Sequence, residues 1–324
     1  MKPVVTITQT FPDSAVERLR QSFEVRYNGS GDSLTPEALG KAAGESDALV
    51  TYLSDKIDQS IIAKGERLKI VANYGAGFNN IDVASARAQG VWVTNTPGVL
   101  HETTADLTWA LILGAARQIV PADRYTREGR FHGWGAKLFL GHDVHGKTLG
   151  IIGCGEIGRA VARRARGFSM HVLYHQRNRL PAEDEKELHA EWVPLERVIR
   201  EADFLTLHVP LTPETQYMIG GKEIAMMKST AYLIHTARGK VVDDLALVQA
   251  LREKRIAGAA LDVFENEPEL TGGLTGLDNC IILPHIGSAS YATRETMAHL
   301  VADNVIDALE GREPRTLVPG WKQG

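Results

Sequence analysis

The feature that most constrains this chain is a glycine-rich turn between an apolar run and an amphipathic stretch. Residues 149–152 are apolar and predict a buried strand, and Gly153, Gly155 and Gly158 follow directly in a GxGxxG spacing. In a strand–turn–helix unit these glycines permit a tight turn, let a pyrophosphate approach the backbone, and let helix and strand pack closely. The pattern therefore predicts a dinucleotide site at the start of a helix. The alternative is that the glycines serve only the turn.

The residues that close the second strand of such a unit indicate which dinucleotide it binds. An acidic residue about 20 positions after the turn would accept the ribose hydroxyls, but residues 174–179 read Tyr-His-Gln-Arg-Asn-Arg. A guanidinium pairs well with a 2′-phosphate. Arg177, and secondarily Arg179, therefore predict that NADP(H) is favoured, with NAD(H) possible. The alternative is that both are solvated loop cations.

Short apolar runs with little polar alternation recur along the chain, which is typical of parallel strands covered by helices on both faces. They lie at residues 4–8, 48–52, 70–73, 91–94, 149–152, 171–174, 204–209, 231–235, 259–263 and 281–283. The spacing predicts an α/β protein with two doubly wound parallel-sheet domains. Residues 291–309 read as one helix that returns to the first domain. We expect one discontinuous domain, 1–98 plus 289–324, and a second at 99–288.

A helix is predicted over residues 102–119, between the two series of strands. It is apolar almost all the way round, so it must be buried on every side, either between the domains or against a second subunit. The turn at residues 95–98, Asn-Thr-Pro-Gly, reads as a hinge.

Composition narrows the class of partner. The formal net charge is −4, with 44% hydrophobic and 23% charged residues, which predicts a folded protein without a basic surface for nucleic acid or membranes. The longest apolar stretch, 107–116, is shorter than the about 20 residues that cross a bilayer. Cys154 and Cys280 indicate neither disulfides nor a metal site. We expect a cytoplasmic protein that acts on a small molecule.

Polar residues follow three of the later predicted strands, in segments 235–239, 261–268 and 283–290. The carboxyl ends of parallel strands form the ligand crevice of an open sheet, so an arginine, a glutamate and a histidine arriving there are expected to converge. Each residue alone has an ordinary alternative, as a surface ion pair, a solvated charge or a hydrogen-bonded core histidine.

These segments, together with others, resemble the D-isomer-specific 2-hydroxyacid dehydrogenase family, particularly its glyoxylate and hydroxypyruvate reductase branch. The resemblance covers nearly the whole chain. Its other matching stretches are residues 73–77 (NYGAG), 94–98 (TNTPG), 146–153 (GKTLGIIG) and 208–215 (HVPLTPET). It implies a flavodoxin-like substrate (lid) domain, a Rossmann cofactor domain at 99–288, and a homodimer formed through residues 100–145.

The resemblance also implies catalytic roles for Arg238, Glu267 and His285. The planar fork of Arg238 would hold a 2-keto acid carboxylate and polarise its carbonyl. His285, as imidazolium, would give a proton to the carbonyl oxygen as hydride arrives. Glu267 would favour the charged imidazole and orient it.

Further contacts are implied residue by residue. Those with the cofactor are Thr104, Gly153, Gly155, Glu156, Ile157, Gly158, Gln176, Arg177, Arg179, Pro210, Thr215, Thr236, Ala237, Arg238, Asp262, His285 and Gly287. Those with the substrate are Leu53, the backbone amides of Gly75, Ala76 and Gly77 acting as a nest, Trp134, Arg238, His285 and Ser288.

Some positions separate this chain from its relatives. Glu156 stands where the family often has arginine, Ala76 where phosphite dehydrogenases have lysine, and Glu267 where formate dehydrogenases have glutamine. The reaction expected is therefore reduction of glyoxylate or hydroxypyruvate to the D-2-hydroxy acid. The alternatives are a larger substrate, such as 2-ketogluconate, and a dinucleotide-sensing protein like the family's transcriptional corepressors.

Overall fold

The computed structural model describes residues 2–322 and divides them into two compact α/β units. Unit 1 consists of residues 2–100 and 288–322, and unit 2 of residues 101–287. The predicted domain boundaries, after residues 98 and 288, lie two residues and one residue from those of the structure, after residues 100 and 287.

Unit 1 is built on a five-stranded parallel sheet in the order β2-β1-β3-β4-β5. The strands are β1 (Val4–Ile7), β2 (Glu24–Tyr27), β3 (Ala48–Thr51), β4 (Ile70–Asn73) and β5 (Trp92–Thr94). Helices α1 (Asp13–Arg20), α2 (Pro36–Glu45), α3 (Gln59–Ile62) and α4 (Val83–Ala88) connect them. Every residue of β1, β3 and β4 is buried, as expected for strands covered on both faces.

Unit 2 contains a seven-stranded parallel sheet in the order β12-β11-β10-β9-β6-β7-β8. The strands are β6 (Thr148–Ile152), β7 (His171–His175), β8 (Ala190–Trp192), β9 (Phe204–Leu207), β10 (Tyr232–His235), β11 (Gly258–Leu261) and β12 (Cys280–Ile282). The helices are α5 (His101–Ala116), α6 (Ile119–Arg127), α7 (Glu156–Ala165), α8 (Ala182–Leu188), α9 (Leu195–Glu201), α10 (Gly221–Met226) and α11 (Asp244–Arg252). The strand order reverses between β6 and β9, and such a switch point is where open sheets bind ligands.

Two edge strands were missed by the sequence analysis. In β2 exposed and half-buried residues alternate, and β8 has only three residues. Neither has the continuous apolar run that marks the central strands, because an edge strand is covered less completely.

The helix predicted over residues 102–119 ends earlier, at Ala116. Gln118 takes the left-handed conformation, with φ 51°, and a second helix, α6, begins at Ile119. α5 itself is buried on most sides: Trp109 stacks on Phe168 with 4.5 Å between ring centroids and donates to the carbonyl of Val161 at 3.1 Å. The predicted burial on every side is therefore only partly met, since Glu102, Asp106 and Ala110 are exposed, and the helix is three residues shorter at its end than expected.

The helix predicted over residues 291–309 is confirmed as α12 (Tyr291–Leu309), and it belongs to unit 1. Ser290 caps its start by accepting from the amide of Thr293 at 3.2 Å. Across residues 2–322, no helix combines the length and the apolar composition that crossing a membrane requires.

Candidate active site

The glycine turn lies between β6 and α7 in unit 2, as predicted. Gly153 has φ 90°, and a Cβ on it would come within 2.8 Å of the backbone of His208. A Cβ on Gly158 would come within 2.3 Å of the carbonyl oxygen of Gly153, so helix and strand touch here. A Cβ on Gly155 would meet no atom of residues 2–322 within 4 Å. Gly153 and Gly158 therefore serve packing, while Gly155 borders open space.

The start of α7 offers unpaired donors to an anion. The amide of Cys154 donates to Gln176 Oε1 at 3.0 Å, but those of Gly155, Glu156 and Ile157 donate to no acceptor within residues 2–322. Glu156 is exposed. Free amides at a helix N-terminus suit a phosphate, and the open side of Gly155 leaves room for one. The turn fits the pyrophosphate of a dinucleotide.

The two arginines after β7 differ in their surroundings. Arg179 forms a bidentate pair with Glu185, with Nε–Oε1 2.8 Å and Nη2–Oε2 2.7 Å. Arg177 is exposed and makes no hydrogen bond or ion pair within the described part of the chain. The pKa of Glu214 is lowered first by a hydrogen bond from Thr212 and also by the charge of Arg177. Arg177 is thus the more available cation, while Arg179 is already neutralised.

Glu267 and His285 are brought together in unit 2. Glu267 Oε2 lies 2.7 Å from His285 Nδ1, and Glu267 Oε1 accepts from the amide of Phe264 at 2.9 Å. Burial raises the pKa of Glu267, but hydrogen bonds from His285 and Phe264 and the charges of His285 and Arg238 bring it below its usual value. The carboxylate is therefore ionised at neutral pH, and it orients the imidazole. His285 Nε2 has no partner within residues 2–322, which leaves it available to a substrate.

The backbone at His285 is held in an unusual conformation by Asp262. His285 has φ 55°, which is unfavourable for a residue with a Cβ and costs on the order of 1–3 kcal/mol. Asp262 Oδ1 accepts from the amide of Ile286, and Oδ2 from that of Gly287, both at 2.7 Å. Burial raises the pKa of Asp262, although these amides and His285 oppose the rise. Asp262, predicted as a cofactor contact, thus has both oxygens engaged in bracing the histidine loop.

Arg238 follows β10 and is half-buried. Its Nη1 donates to the carbonyl of Ala237 at 2.6 Å, and its own carbonyl lies 2.9 Å from His235 Nε2. Burial lowers the pKa of His235 to about 4, so the ring is neutral at pH 7 and Nε2 donates to Arg238. A Cβ on Gly239 would overlap the carbonyl of Phe264, at 1.7 Å, so the arginine and glutamate segments are in direct contact. The charge of Glu267 raises the pKa of Arg238 against the dominant, lowering effect of burial.

The remaining residues of unit 2 that were predicted to contact the cofactor are either buried or part of a tight turn. Thr104, Thr236 and Ala237 are buried. Pro210 and Thr215 belong to one turn, in which Thr215 Oγ1 donates to the carbonyl of Pro210 at 2.6 Å and accepts from the amide of Thr212 at 2.8 Å.

The predicted substrate residues are divided between the units. Leu53, Gly75, Ala76, Gly77 and Ser288 belong to unit 1, whereas Trp134, Arg238 and His285 belong to unit 2. Within unit 1, Leu53 lies against the nest, since a Cβ on Gly75 would be 3.0 Å from Leu53 Cδ2. Trp134 is 88% exposed, so it packs against little of its own chain.

The sequence analysis assigned no role to Asn73 and Asn95, although both stand in the stretches that carried the resemblance. In the structure Asn73 Nδ2 donates to the carbonyl of Gly77 at 2.7 Å, and Asn95 Nδ2 to that of Ala76 at 2.6 Å. A polar residue at the end of a buried strand, as Asn73, or directly after one, as Asn95, was the available signal. Among residues 2–322, no group of His, Cys, Asp and Glu is placed to hold a metal ion.

Comparison with known proteins identifies the family. Its sequence profile, described as D-isomer specific 2-hydroxyacid dehydrogenase, NAD binding domain, matches residues 109–287. A glyoxylate reductase from Thermococcus gammatolerans is 50% identical over 322 residues, covering 98% of this chain and 96% of that protein.

Two crystal structures of similar proteins point to the same family. That of a glyoxylate reductase from Paecilomyes thermophila has a TM-score of 0.87 at 34% identity and covers 99% of each chain. That of an NADPH-dependent glyoxylate/hydroxypyruvate reductase from Sinorhizobium meliloti, in complex with NADP and malonate, has a TM-score of 0.86 at 33% identity, covering 98% of this chain and 97% of that one. The glycine turn and the paired histidine and glutamate fit this family. On the profile match and the 50% identity, this chain belongs to the D-isomer-specific 2-hydroxyacid dehydrogenase family.

Proposed function

We propose that this enzyme reduces glyoxylate or hydroxypyruvate to the D-2-hydroxy acid, with NADPH as the favoured reductant. The observation that carries the proposal is the 2.7 Å contact between His285 Nδ1 and Glu267, which leaves Nε2 without a partner in the described part of the chain. A histidine held in this way is suited to give a proton to a carbonyl oxygen. The relatives named glyoxylate reductase support the substrate class.

In the proposed reaction the carbonyl carbon becomes sp³ while its oxygen gains a proton. When bound, the reduced nicotinamide supplies the hydride. His285 gives its proton from Nε2 to the oxygen, and the Glu267 carboxylate stabilises the imidazolium before transfer. Arg238 binds the substrate carboxylate and polarises the carbonyl. The amides of Ala76 and Gly77 are further donors to the carboxylate, whereas that of Gly75, predicted as a third, already donates to the carbonyl of Asn73 at 3.0 Å.

Two differences between the arginines after β7 support the preference for NADPH. Arg177 is exposed and unpaired in the described part of the chain, whereas Arg179 is occupied by Glu185. A 2′-phosphate would therefore gain a charge-assisted contact with Arg177 at little cost in broken ion pairs. Gln176, whose oxygen accepts from Cys154, adds no negative charge against the phosphate.

Absorbance at the reduced-nicotinamide band tests the reaction with a panel of keto acids: glyoxylate, hydroxypyruvate, 2-ketogluconate and larger ones. We expect the highest kcat/KM for one of the first two, with NADPH above NADH. A preference for 2-ketogluconate or a larger acid would keep the reaction and overturn the substrate. Absence of turnover with every keto acid, while NADPH still binds, would favour the corepressor-like alternative.

We also propose that the enzyme acts as a homodimer through residues 100–145. Ile119, Val120, Phe131, Trp134 and Leu140 are large apolar residues that unit 2 leaves exposed in this region. A cavity of about 1050 Å³ lies beside them, lined in part by Tyr125 and Phe139. A second copy would remove this apolar surface from water. A cytoplasmic location stays a prediction from Cys154 and Cys280, both of which are free thiols.

A further inference from the structure

Three consecutive backbone carbonyls of unit 1, those of Gly75, Ala76 and Gly77, each accept a hydrogen bond. The carbonyl of Gly75 accepts from the amide of Thr96 at 3.0 Å. The carbonyl of Ala76 accepts from Asn95 Nδ2 at 2.6 Å, and that of Gly77 from Asn73 Nδ2 at 2.7 Å. Each of the three carbonyls is thus tied to a donor of the β4 and β5 strand ends.

The free amides of these peptide groups follow from their planarity. In a trans peptide the N–H points opposite to the C=O, so the amides of Ala76, Gly77 and Phe78 are directed away from the donors that bind the carbonyls. None of these three amides donates to an acceptor within residues 2–322. All three residues are partly accessible. Successive free amides of this kind form an anion-binding concavity.

The orientation of the Asn73 side chain is itself determined by neighbours. Its Oδ1 accepts from Thr51 Oγ1 at 3.2 Å and from Asn80 Nδ2 at 3.3 Å, which leaves Nδ2 to face Gly77. Asn80 Nδ2 also donates to the carbonyls of Tyr52 and Asp55, at 2.9 and 3.0 Å. The segment that carries Leu53 is therefore joined to the nest through two asparagine amides.

The backbone of Asn95 is held in place by hydrogen bonds that do not involve its side chain. Its backbone amide donates to the carbonyl of Thr316 at 3.2 Å, and its carbonyl accepts from Thr316 Oγ1 at 2.6 Å. Its side-chain amide donates to Ala76. Removing the Asn95 side chain thus releases the peptide group of Ala76 while the backbone of Asn95 keeps both contacts with Thr316.

We propose that Asn73 and Asn95 are positioning residues for carboxylate recognition, turning the amides of Phe78 and Gly77 toward the keto-acid carboxylate. The inference rests on the proposed function for the identity of that anion. Without the two side-chain amides, the peptide groups that carry the Gly77 and Phe78 amides lose the hydrogen bonds that order them, and the cost of ordering them is then met on binding. The loss appears in substrate affinity, because the asparagines do not touch the reacting atoms.

Asn95→Ala and Asn73→Ala test this, with Asn28→Ala as a matched control. Asn28 Nδ2 likewise donates to two backbone carbonyls of unit 1, those of Thr8 and Asp32 at 2.8 and 3.0 Å, in a different loop. Two measurements are made on each variant: KM and kcat for glyoxylate, and the Kd of oxalate, an unreactive dicarboxylate, with NADPH saturating. NADPH binding is followed by fluorescence.

We expect KM for glyoxylate and Kd for oxalate to rise about tenfold or more in Asn95→Ala and Asn73→Ala. In both variants kcat and the affinity for NADPH should be unchanged. Asn28→Ala should behave like the wild type. If Asn73→Ala does not fold, Asn95→Ala decides alone. Wild-type oxalate affinity in Asn95→Ala would overturn the inference, as would an equal loss in Asn28→Ala. If the wild type reduces no glyoxylate, the proposed function fails, and the oxalate measurement still decides the role of the asparagines.

Discussion

At the scale of single residues, His285 is the group on which the proposed proton transfer depends. General acid catalysis contributes about 10²–10⁴-fold, so His285→Ala is expected to lose at least roughly a hundredfold in single-turnover reduction while it still binds NADPH. Single turnover is measured because product release can hide part of the loss. His299, which pairs with Glu295 at 3.3 Å on α12, is the matched control. A His285→Ala enzyme with normal single-turnover rates would remove His285 from the mechanism.

Glu267 is expected to support catalysis by orienting His285. Burial raises the pKa of Glu267, but the hydrogen bond and the charge of His285 bring it below the usual value, so the group is a carboxylate at neutral pH, with Oε2 2.7 Å from His285 Nδ1. Glu267→Gln keeps the shape of the side chain and removes its charge, so we expect single-turnover reduction to slow without being abolished, while NADPH binding is kept. Wild-type single-turnover rates in Glu267→Gln would contradict this role.

Arg177 is expected to separate the two cofactors. A hydrogen bond to a charged group is worth about 1.5–3 kcal/mol, so Arg177→Ala should raise KM for NADPH roughly ten- to a hundredfold and leave NADH kinetics nearly unchanged. Arg179→Ala should have a smaller effect, because Arg179 is already bound to Glu185. Equal losses with NADPH and NADH would show that Arg177 has only a structural role.

At the scale of elements, two glycines at the same turn are expected to respond differently to alanine. A Cβ on Gly158 would meet the carbonyl oxygen of Gly153 at 2.3 Å, so Gly158→Ala must push α7 from β6. Overpacking of this kind costs about 1–3 kcal/mol and should lower both stability and NADPH affinity. A Cβ on Gly155 meets no atom of the described residues within 4 Å, so Gly155→Ala should keep stability and lose NADPH affinity. Thermal unfolding and NADPH fluorescence titration distinguish the two. Similar melting temperatures for both variants would refute the packing role of Gly158.

The same scale explains how His285 keeps a positive φ. The loop after β12 contributes the histidine, and Asp262, the residue directly after β11, holds the amides of Ile286 and Gly287 with its two oxygens. These hydrogen bonds offset the free energy that the left-handed conformation costs.

At the scale of the whole molecule, sedimentation at micromolar concentration is expected to give twice the 35.4 kDa of one chain. Leu140→Asp should shift the mass toward one chain, because it places a charge in the proposed interface. Leu245 is the control: it is 67% exposed, as is Leu140, but lies on α11, outside residues 100–145. A wild-type mass of one chain would refute the dimer. Dissociation by Leu245→Asp would show that a different surface pairs.

The sequence by itself determined the central strands of the two sheets and where polar residues follow them. Buried central strands such as β3 and β4 must be apolar throughout, and a turn such as that at Gly153 needs a residue without a Cβ, so both leave local signals. The arginine, glutamate and histidine were recognisable because parallel strands bring their loops to one edge of a sheet. The edge strands β2 and β8 left no such signal.

Only the tertiary structure decided how those groups are held. Asp262 braces the histidine loop through a residue 24 positions away, and Glu185 neutralises Arg179 six positions away. Asn73 and Asn95 bind carbonyls of the nest that are 4 and 19 positions away. Asp262, Asn73 and Asn95 bind backbone amides or carbonyls, and Arg179 binds one of many carboxylates. Backbone groups exist at every position and carboxylates are common, so residue type alone does not say which one is bound. The selection is made by packing, which sets which donor lies within reach of which acceptor.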